Sequence, residues 1–482
     1  MRRPHRLALA TVALLCVFVI GAGLAVARLL PRRLELWDVA RVGSGRAAAP
    51  QAPLAAASGT SVQGAGVTTA GLSAALGPLL SSPTLGSHVG MLITSLSTGQ
   101  VLYAQDAGGG FAPASTAKLA TAVSALHVLG PDARFTTRVV LAGGGVVPRL
   151  VLVGGGDPTL AAGQPPAADF PHDATLKALA AKAARALRAR GAHRVRLGYD
   201  TSLFTGPGMA PGWPRSYVTT GNVTPISSLE VDQGRLTPSG APQDADDPGN
   251  TMARTFSPAP EAATAFAGFL AADGIRVAGG SSRAVVPPSA ATVGRVYSPP
   301  LAEIVQQMLQ ESNNVIAENL ARHVAIASGK PASFSGAAAA EMGVLRGLGV
   351  TGVHLVDGSG LSPRDRITPD ALVAIIRTAS APGQSRLRVA ITGLPVAGFS
   401  GTLAPGGSVF AEAGRAALGL VRAKTGNLNT IAALAGIAYA RNGQLLSFAV
   451  MADRLKNGAL DQAGAQIARV ATALAGCGCR AR

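Results

Sequence analysis

Three short polar motifs, far apart along this chain of 482 residues, restrict the folds that it can adopt. They are Ser115-Thr-Ala-Lys118, Ser312-Asn-Asn314 and Lys424-Thr-Gly426. About 200 residues separate the first two motifs, which is as much chain as a whole domain uses. If the motifs form one site, the fold must bring both ends of the chain together and tolerate a large insertion.

The first motif combines a hydroxyl with an amine. Lys118 follows Ser115 by three residues, a spacing that puts both side chains on one face of a helix. Only six lysines occur in the chain, while lysine and arginine together number 42. A buried lysine amine can lose its proton and an arginine cannot, so Lys118 is a candidate general base for Ser115. An ordinary helix start after Pro113 would give the same letters, and the motif alone leaves both interpretations open.

Ser-x-x-Lys, Ser-x-Asn and Lys-Thr-Gly in this order are the signature of the penicillin-binding proteins and serine β-lactamases, which the chain therefore resembles. It is most similar to the class C, low-molecular-mass D-alanyl-D-alanine carboxypeptidase/endopeptidases. Further matching stretches are Leu152-Val-Gly-Gly-Gly-Asp-Pro-Thr-Leu160, Asp200-Thr-Ser-Leu-Phe204, Pro211-Gly-Trp213, Ser312-Asn-Asn-Val-Ile-Ala-Glu-Asn-Leu320 and Asp357-Gly-Ser-Gly-Leu-Ser362. They cover residues from about 85 to 475, most of the chain.

The resemblance implies an α+β fold: a penicillin-binding transpeptidase-like domain, in which an antiparallel sheet carries helices on both faces, with a β-rich insertion between the first two motifs. Strand patterns near residues 88–103, 418–426, 430–439 and 444–451 agree with one sheet built from both ends of the chain. We therefore expect the catalytic domain at residues 72–135 and 297–476, and one or two inserted domains at 136–296.

The resemblance also implies a role for each motif residue. Ser115 is expected to be the acylated nucleophile and Lys118 its base. Ser312 and Lys424 would relay the proton to the leaving D-alanine, and Asn314 would hold the substrate amide. The substrate-binding positions that match are Thr425, Gly426, Asn427, Asn429 and Arg364. Thr425 would hold the terminal carboxylate, and the backbone N–H groups of Ser115 and Asn427 would form the oxyanion hole.

Two departures from the family pattern concern the substrate. Asn427 follows Lys-Thr-Gly where relatives usually carry Ser or Thr, so a carboxylate contact by that side chain is not implied. Several relatives also carry an acidic residue shortly after Pro-Gly-Trp, facing the amino end of the stem's diamino acid. The segment Arg215-Ser-Tyr-Val-Thr-Thr-Gly-Asn222 has none, which leaves the preferred diamino acid open.

The amino-terminal segment predicts an extracytoplasmic location. Residues 7–27 carry no charge, and Arg2, Arg3 and Arg6 precede them, which is the pattern of an anchor whose amino end stays inside. A cleaved signal is the alternative, because Ala25-Val-Ala27 resembles a cleavage site. Residues 1–30 are thus a membrane anchor or signal segment and residues 31–71 a flexible linker; both versions lead to the outer face of the cytoplasmic membrane or beyond it.

The composition of the chain limits the kinds of binding partner that it can have. The formal net charge of +17 favours anionic lipid and wall polymers, and aromatic residues at 4% are too few for a nucleic-acid stacking surface. The seven histidines lack metal-ligand spacing, and neither a metal nor a cofactor is predicted. Expected partners are peptidoglycan stem peptides, β-lactams as covalent inhibitors, and a membrane through the amino-terminal segment.

Two alternatives to a peptidoglycan peptidase stay open at this point. One is a β-lactamase or esterase on the same scaffold, although no Glu-x-x-x-Asn segment typical of a deacylating loop lies between the first two motifs. The other is a wall-binding module with an unused catalytic centre. The complete set of motif residues argues against the latter, because a binder has no need for a neutral lysine beside a serine.

Overall fold

The computed structural model describes residues 67–143, 147–163, 171, 173–236, 252–286, 290–405, 410 and 415–477. The predicted anchor or signal segment, residues 1–30, lies outside them. So does the predicted linker up to residue 66. The first described helix begins at Thr69, before the predicted end of the linker at residue 71, because the Thr68 hydroxyl caps it by accepting a hydrogen bond from the backbone N–H of Gly71. Across the described ranges, no helix combines the length and apolarity that crossing a bilayer needs.

The described residues form two main sheets and the helices that cover them. The strands are β1 Val89–Ser95, β2 Val101–Gln105, β3 Thr136–Leu141, β4 Arg149–Val153, β5 Arg194–Asp200, β6 Arg276–Val277, β7 Ser282–Arg283, β8 Ala291–Tyr297, β9 Val353–His354, β10 Arg366–Ile367, β11 Val421–Leu428, β12 Ile431–Tyr439 and β13 Leu445–Ala452. The α-helices are α1 Thr69–Leu80, α2 Lys118–Leu129, α3 Leu176–Arg188, α4 Ser216–Thr219, α5 Pro258–Ala272, α6 Leu301–Gln310, α7 Asn314–Ala327, α8 Phe334–Gly347, α9 Pro369–Ser380, α10 Val389–Thr392 and α11 Leu460–Gly476.

The first sheet joins both ends of the chain, as predicted. Its strands follow the order β11-β12-β13-β1-β2, and every neighbouring pair is antiparallel. Alternating side chains of β1 enter two separate apolar clusters: Leu92 packs on the side of α2, α6, α7, α8 and α9, whereas Met91 and Ile93 pack on the side of α1 and α11. This confirms the expected antiparallel sheet with helices on both faces.

The second sheet lies within the predicted insertion. Its order is β6-β5-β4-β3-β8, with β7 also paired to β5, and it mixes antiparallel pairs with parallel pairs around β5. Helices α3 and α5 cover it, and the amphipathic α3 places Leu179, Ala183 and Leu187 in a core of its own. The last strand of this sheet ends at Tyr297, one residue beyond the predicted boundary. That the insertion folds as a separate domain stays a prediction.

A loop of the insertion reaches back to the helices of the first sheet. Trp213 packs edge-on against Phe334 of α8, with ring centroids 5.2 Å apart, and its indole N–H donates to the carboxyl group of Asp357 at 2.8 Å. The aromatic contact and the buried hydrogen bond tie the loop to the region that carries the three motifs.

Candidate active site

The first motif occupies a strained junction. A 3₁₀ turn, Ala114–Ala117, carries Ser115, and Lys118 begins α2 directly after it. Ala114 has φ +44°, a conformation that is costly for a residue with a Cβ. The turn is held from behind by Gly360, where a Cβ would lie 1.9 Å from the Ala114 carbonyl oxygen, so only glycine permits this approach. Ser115 is partly exposed at this point, while its neighbours on either side are buried.

The amine of Lys118 has three polar neighbours. Its Nζ lies 2.9 Å from Ser115 Oγ, 2.7 Å from Asn314 Oδ1 and 2.8 Å from the Ser359 carbonyl oxygen. The last two atoms can only accept hydrogen bonds. With the amine charged, its three N–H groups donate to all three atoms. In the neutral form, which has two N–H donors and one lone pair, it donates to Asn314 and Ser359 and turns its lone pair to the Ser115 hydroxyl.

The second motif is strained in the same way as the first. Ser312 lies between α6 and α7 with φ +56°. Its hydroxyl lies 2.8 Å from Lys424 Nζ, and that amine also donates to the Thr425 carbonyl at 3.1 Å. Asn314 donates from Nδ2 to the carbonyl of Asn222, which belongs to the insertion. Hydrogen bonds from Lys118 and Lys424 therefore join the second motif to the first and third motifs, which are distant in the sequence.

Burial sets the charge of both amines. Lys118 and Lys424 are fully buried, and removal from water disfavours a charged ammonium. Burial lowers the pKa of Lys118 to about 7, against the opposing fields of Asp357 and Glu318. Burial, and then the neighbouring Lys118, lower the pKa of Lys424 well below its usual value. A neutral Lys118 is thus accessible near neutral pH, as a general base requires.

The Lys-Thr-Gly strand packs against the turn that carries Ser115. At Gly426 on β11, a Cβ would lie 2.5 Å from the Pro113 carbonyl oxygen, so a larger residue would push the strand away from Ser115. Thr425 Oγ1 and Thr402 Oγ1 are 3.1 Å apart and share a hydrogen bond. This close packing explains a glycine at position 426, and contact of Gly426 with substrate stays a prediction.

A cleft of about 930 Å³ opens beside the second motif. Ser312 and Asn314 line it, as do Thr402 and Arg422 from the side of β11. The wall on the insertion side includes Asn222. This cleft is large enough for a peptide and connects directly to the groups that hold Lys118 and Lys424.

The five predicted substrate-binding residues lie apart from the described walls of the cleft. Thr425 and Gly426 are buried on β11, and neither lines the cleft. Asn427 at the end of β11 and Asn429 in the following turn are exposed, and so is Arg364, whose Nε lies about 4 Å from the position of a Cβ on Gly212. None of the three is among the described residues that line the cleft. Their contact with substrate stays a prediction.

Sequence reasoning missed the support behind Lys118. Glu318 is fully buried on α7 and accepts hydrogen bonds from the backbone N–H groups of Gly358 at 3.0 Å and Ser359 at 2.8 Å, which fixes the carbonyl that holds the lysine. The Asp357 carboxylate accepts hydrogen bonds from the backbone N–H groups of Gly360 and Ser362 and from the indole N–H of Trp213. The Asp-Gly-Ser-Gly stretch signalled similarity, but no spacing rule assigned it a contact with Lys118.

Comparison with known proteins gives consistent matches. The model of the family described as D-Ala-D-Ala carboxypeptidase 3 (S13) matches residues 72–265 and 235–474. Carboxypeptidase DacB of Mycolicibacterium smegmatis is 38% identical over 424 residues, covering 86% of each chain. The D-alanyl-D-alanine carboxypeptidase of an Actinomadura species is 30% identical over 438 residues, covering 76% of this chain and 78% of its own. Penicillin binding protein 4 of Haemophilus influenzae shares the fold, with a TM-score of 0.66 at 22% identity over 84% of this chain and 98% of its own.

Proposed function

Because the chain belongs to the S13 family of D-Ala-D-Ala carboxypeptidases, we propose that its three motifs form the acylation site of this activity. The sequence-based prediction of a serine-type D-Ala-D-Ala carboxypeptidase/endopeptidase with a penicillin-binding fold is confirmed. The assignment of each side chain to a step is our proposal. The observation that carries it is the pair of hydrogen bonds that Lys118 makes to Ser115 and Asn314.

Acylation begins at Ser115. Its hydroxyl donates to the neutral amine of Lys118, and its Oγ attacks the carbonyl carbon between the two D-alanines while the proton moves to Nζ. The backbone N–H groups of Ser115 and Asn427 hold the developing oxyanion, and a single donor of this kind is worth about 3 kcal/mol of barrier.

The leaving D-alanine takes its proton from the second motif. The Ser312 hydroxyl, which lies 2.8 Å from Lys424 Nζ, passes its proton to the nitrogen as the C–N bond breaks. Ser312 then regains a proton from Lys118, which took it from Ser115, so the net result is transfer of the Ser115 proton to the leaving amine. Asn314 holds the substrate amide. Water then hydrolyses the ester on Ser115, which frees the shortened stem and restores the enzyme.

Recognition of the terminal carboxylate belongs to Thr425. Its hydroxyl is joined to Thr402 at the cleft wall, and the buried amine of Lys424 precedes it on the same strand. A β-lactam presents a carboxylate and a strained amide with similar geometry, so it acylates Ser115 and leaves a slowly hydrolysed ester. A β-lactamase or esterase is the second candidate, and it differs by hydrolysing that ester rapidly.

Digestion of purified stem peptides, followed by mass analysis, tests the proposal. Loss of one terminal D-alanine from a pentapeptide, together with a stable adduct with fluorescent penicillin, is the expected result. Rapid turnover of the penicillin without release of D-alanine would favour the β-lactamase alternative instead. No adduct and no release would contradict both candidates.

We also propose that the enzyme works outside the cytoplasm, attached to the membrane by residues 1–30 or released after their cleavage. The support is the sequence: the uncharged run of residues 7–27 follows Arg2, Arg3 and Arg6. A reporter fused after Arg482 should be active only outside the cytoplasm. Reporter activity inside would contradict the proposed location, since peptidoglycan would then be out of reach.

A further inference from the structure

Two arginines face each other in the wall of the cleft on the insertion side. Arg235 and Arg254 form an antiparallel backbone bridge, a pairing that places their side chains side by side. Like charges directly opposite one another destabilise a sheet. Neither arginine is needed for the acylation steps described above.

The described residues form no direct ion pair with these arginines, although the carboxylates of Glu230, Asp232 and Glu311 act on them through their electrostatic fields. Arg254 is buried, and its guanidinium donates to the carbonyls of Gly221 at 2.8 Å and Gln233 at 2.7 Å. The buried Nε of Arg235 has no hydrogen-bond partner among the described residues. Within those residues, no carboxylate lies within 4.0 Å of either guanidinium. Burial, and then Arg235, lower the pKa of Arg254 to about 9, against the opposing fields of Glu230 and Glu311.

One carboxylate shares the cleft with the pair. Glu311 acts on both arginines through its electrostatic field, but its oxygens accept hydrogen bonds from Gln307 at 3.0 Å and Asn313 at 3.1 Å. Arg422 on the opposite wall adds a third positive charge. The described lining of the cleft is therefore basic, and it lies beside a proposed site for a peptide that ends in a carboxylate.

A strained turn connects the arginine pair to the second motif. Asp232 has φ +49° and Gln233 φ +56°, and only Gly234 separates them from Arg235. The side-chain oxygen of Gln233 accepts a hydrogen bond from Asn313 Nδ2 at 2.6 Å, and the backbone carbonyl of Gln233 accepts one from Arg254. Asn313 stands between Ser312 and Asn314, so the position of the pair is fixed relative to the proposed proton donor. Strain of this kind persists where the surrounding structure requires one geometry.

We propose that Arg235 and Arg254 form a subsite for carboxylates of the leaving peptide in a cross-linked substrate. The inference rests on the proposed function, because the cleft begins at Ser312 and Thr402, on the side where the leaving nitrogen is protonated and the terminal carboxylate is held. In a carboxypeptidase reaction the leaving group is a single D-alanine, and its carboxylate is the group that Thr425 holds. In an endopeptidase reaction it is a second stem, whose free carboxylates extend into the basic cleft. Arginine recognises such groups through paired N–H donors.

The pair therefore sets the ratio of endopeptidase to carboxypeptidase activity. Arg235→Gln should lower kcat/KM for a cross-linked stem dimer by about tenfold, the factor expected for losing one charge-assisted contact, and should change release of D-alanine from a pentapeptide less than twofold. Arg235→Lys keeps the charge and should recover part of the loss. Arg441→Gln removes an equal charge from an exposed position and serves as the control, with both substrates unaffected.

Chemical removal of the carboxylates should reproduce the effect of the variant. On a dimer whose leaving stem is fully amidated, apart from the carboxylate next to the scissile bond, the unmodified enzyme should also lose about tenfold. Arg235→Gln should then cause no further loss. Equal losses on the dimer and the pentapeptide would mean that Arg235 supports the fold of the site and would overturn the subsite. Unchanged dimer cleavage would overturn it as well.

A binding measurement separates this inference from the proposed catalytic roles. The Ser115→Ala protein binds without forming the ester, so its Kd for the dimer can be measured by calorimetry. Adding Arg235→Gln should weaken binding of the free-acid dimer about tenfold and leave binding of the amidated dimer unchanged. This result would support the subsite even if another serine were the nucleophile. Equal affinity of both proteins for the free-acid dimer would exclude it.

Discussion

The two sheets of the molecule are built in opposite ways. The first combines β1 and β2 from the start of the described chain with β11, β12 and β13 from its end, and every strand pair is antiparallel. The second draws all its strands from residues 136–297 and includes parallel pairs with α3 and α5 across them. The first sheet depends on long-range pairing, and the second on contacts within one segment.

The two regions contribute different things to the proposed active site. The first sheet and its helices carry all five proposed catalytic side chains. The two lysines among them are buried, and Ala114 and Ser312 adopt strained backbone conformations. The insertion carries none of the three motifs, yet its residues contact the site. The Asn222 carbonyl accepts a hydrogen bond from Asn314, Trp213 donates one to Asp357, and the arginine pair lines the cleft. Changes in the first region should therefore abolish chemistry, whereas changes in the second should alter stability and substrate choice.

The largest effect should come from Ser115→Ala, which removes the proposed nucleophile. Covalent labelling by fluorescent penicillin should be lost completely, while thermal unfolding should stay close to that of the unmodified protein because one partly exposed hydroxyl is removed. Ser124→Ala on α2, the helix that follows Ser115, is the matched control and should label normally, because its buried hydroxyl lacks a partner among the described residues. An adduct on the Ser115→Ala protein would mean that another residue is the nucleophile.

Lys118→Arg should reduce the acylation rate by about a hundredfold or more, because the guanidinium keeps the charge but cannot act as a base. The rate is measured by stopped-flow labelling. Lys177→Arg, on the exposed face of α3 in the insertion, makes the same exchange in the other region and should leave the rate unchanged. A near-normal rate for the Lys118 variant would show that this lysine serves only the structure.

Acylation should also depend on pH through Lys118. Its pKa is lowered to about 7 by burial, and only the deprotonated amine accepts the Ser115 proton. The rate should therefore level off above pH 7 and fall about tenfold per unit below it, in a pH range where circular dichroism confirms the folded state. A flat profile between about pH 5 and 8 would contradict a base with this pKa.

Thr425→Val should weaken discrimination between substrate ends. The unmodified enzyme should release D-alanine about tenfold faster from a free-acid stem than from an amidated one, since the amide loses a charge-assisted contact. The valine variant keeps nearly the same shape and should narrow that ratio in steady-state assays of both substrates. If the unmodified enzyme turns over both equally, carboxylate recognition lies outside the Lys-Thr-Gly strand.

The smallest effect on chemistry should come from Trp213→Phe in the insertion. The variant loses the hydrogen bond to Asp357 and should lower the free energy of unfolding by about 2 kcal/mol, while acylation changes less than about threefold. Tyr297→Phe, at a half-exposed position of the second sheet, should change stability by less than about 0.5 kcal/mol. Denaturant titrations measure both. A large loss of acylation without loss of stability would show that the insertion takes part in chemistry.

Prediction from the sequence succeeded where the signal is local. The strand patterns near residues 418–426, 430–439 and 444–451 correspond to β11 Val421–Leu428, β12 Ile431–Tyr439 and β13 Leu445–Ala452. The strands of the first sheet were found within a few residues of their bounds, because each combines β-branched or apolar runs with clear turn residues. The five proposed catalytic residues came from motif order.

The sequence by itself determined the motifs, the residue types and the class of chemistry, because two serines, two lysines and an asparagine are the groups that this chemistry uses. The tertiary structure decided their environment. Burial lowers the pKa of Lys118 to about 7, and Glu318 fixes the backbone at Ser359, whose carbonyl accepts from Lys118. Gly426 lets β11 pack against the turn that carries Ser115. It also brought Arg235 and Arg254 together in the cleft wall. These features depend on contacts between residues that are distant in the chain, and local patterns carry no information about such contacts.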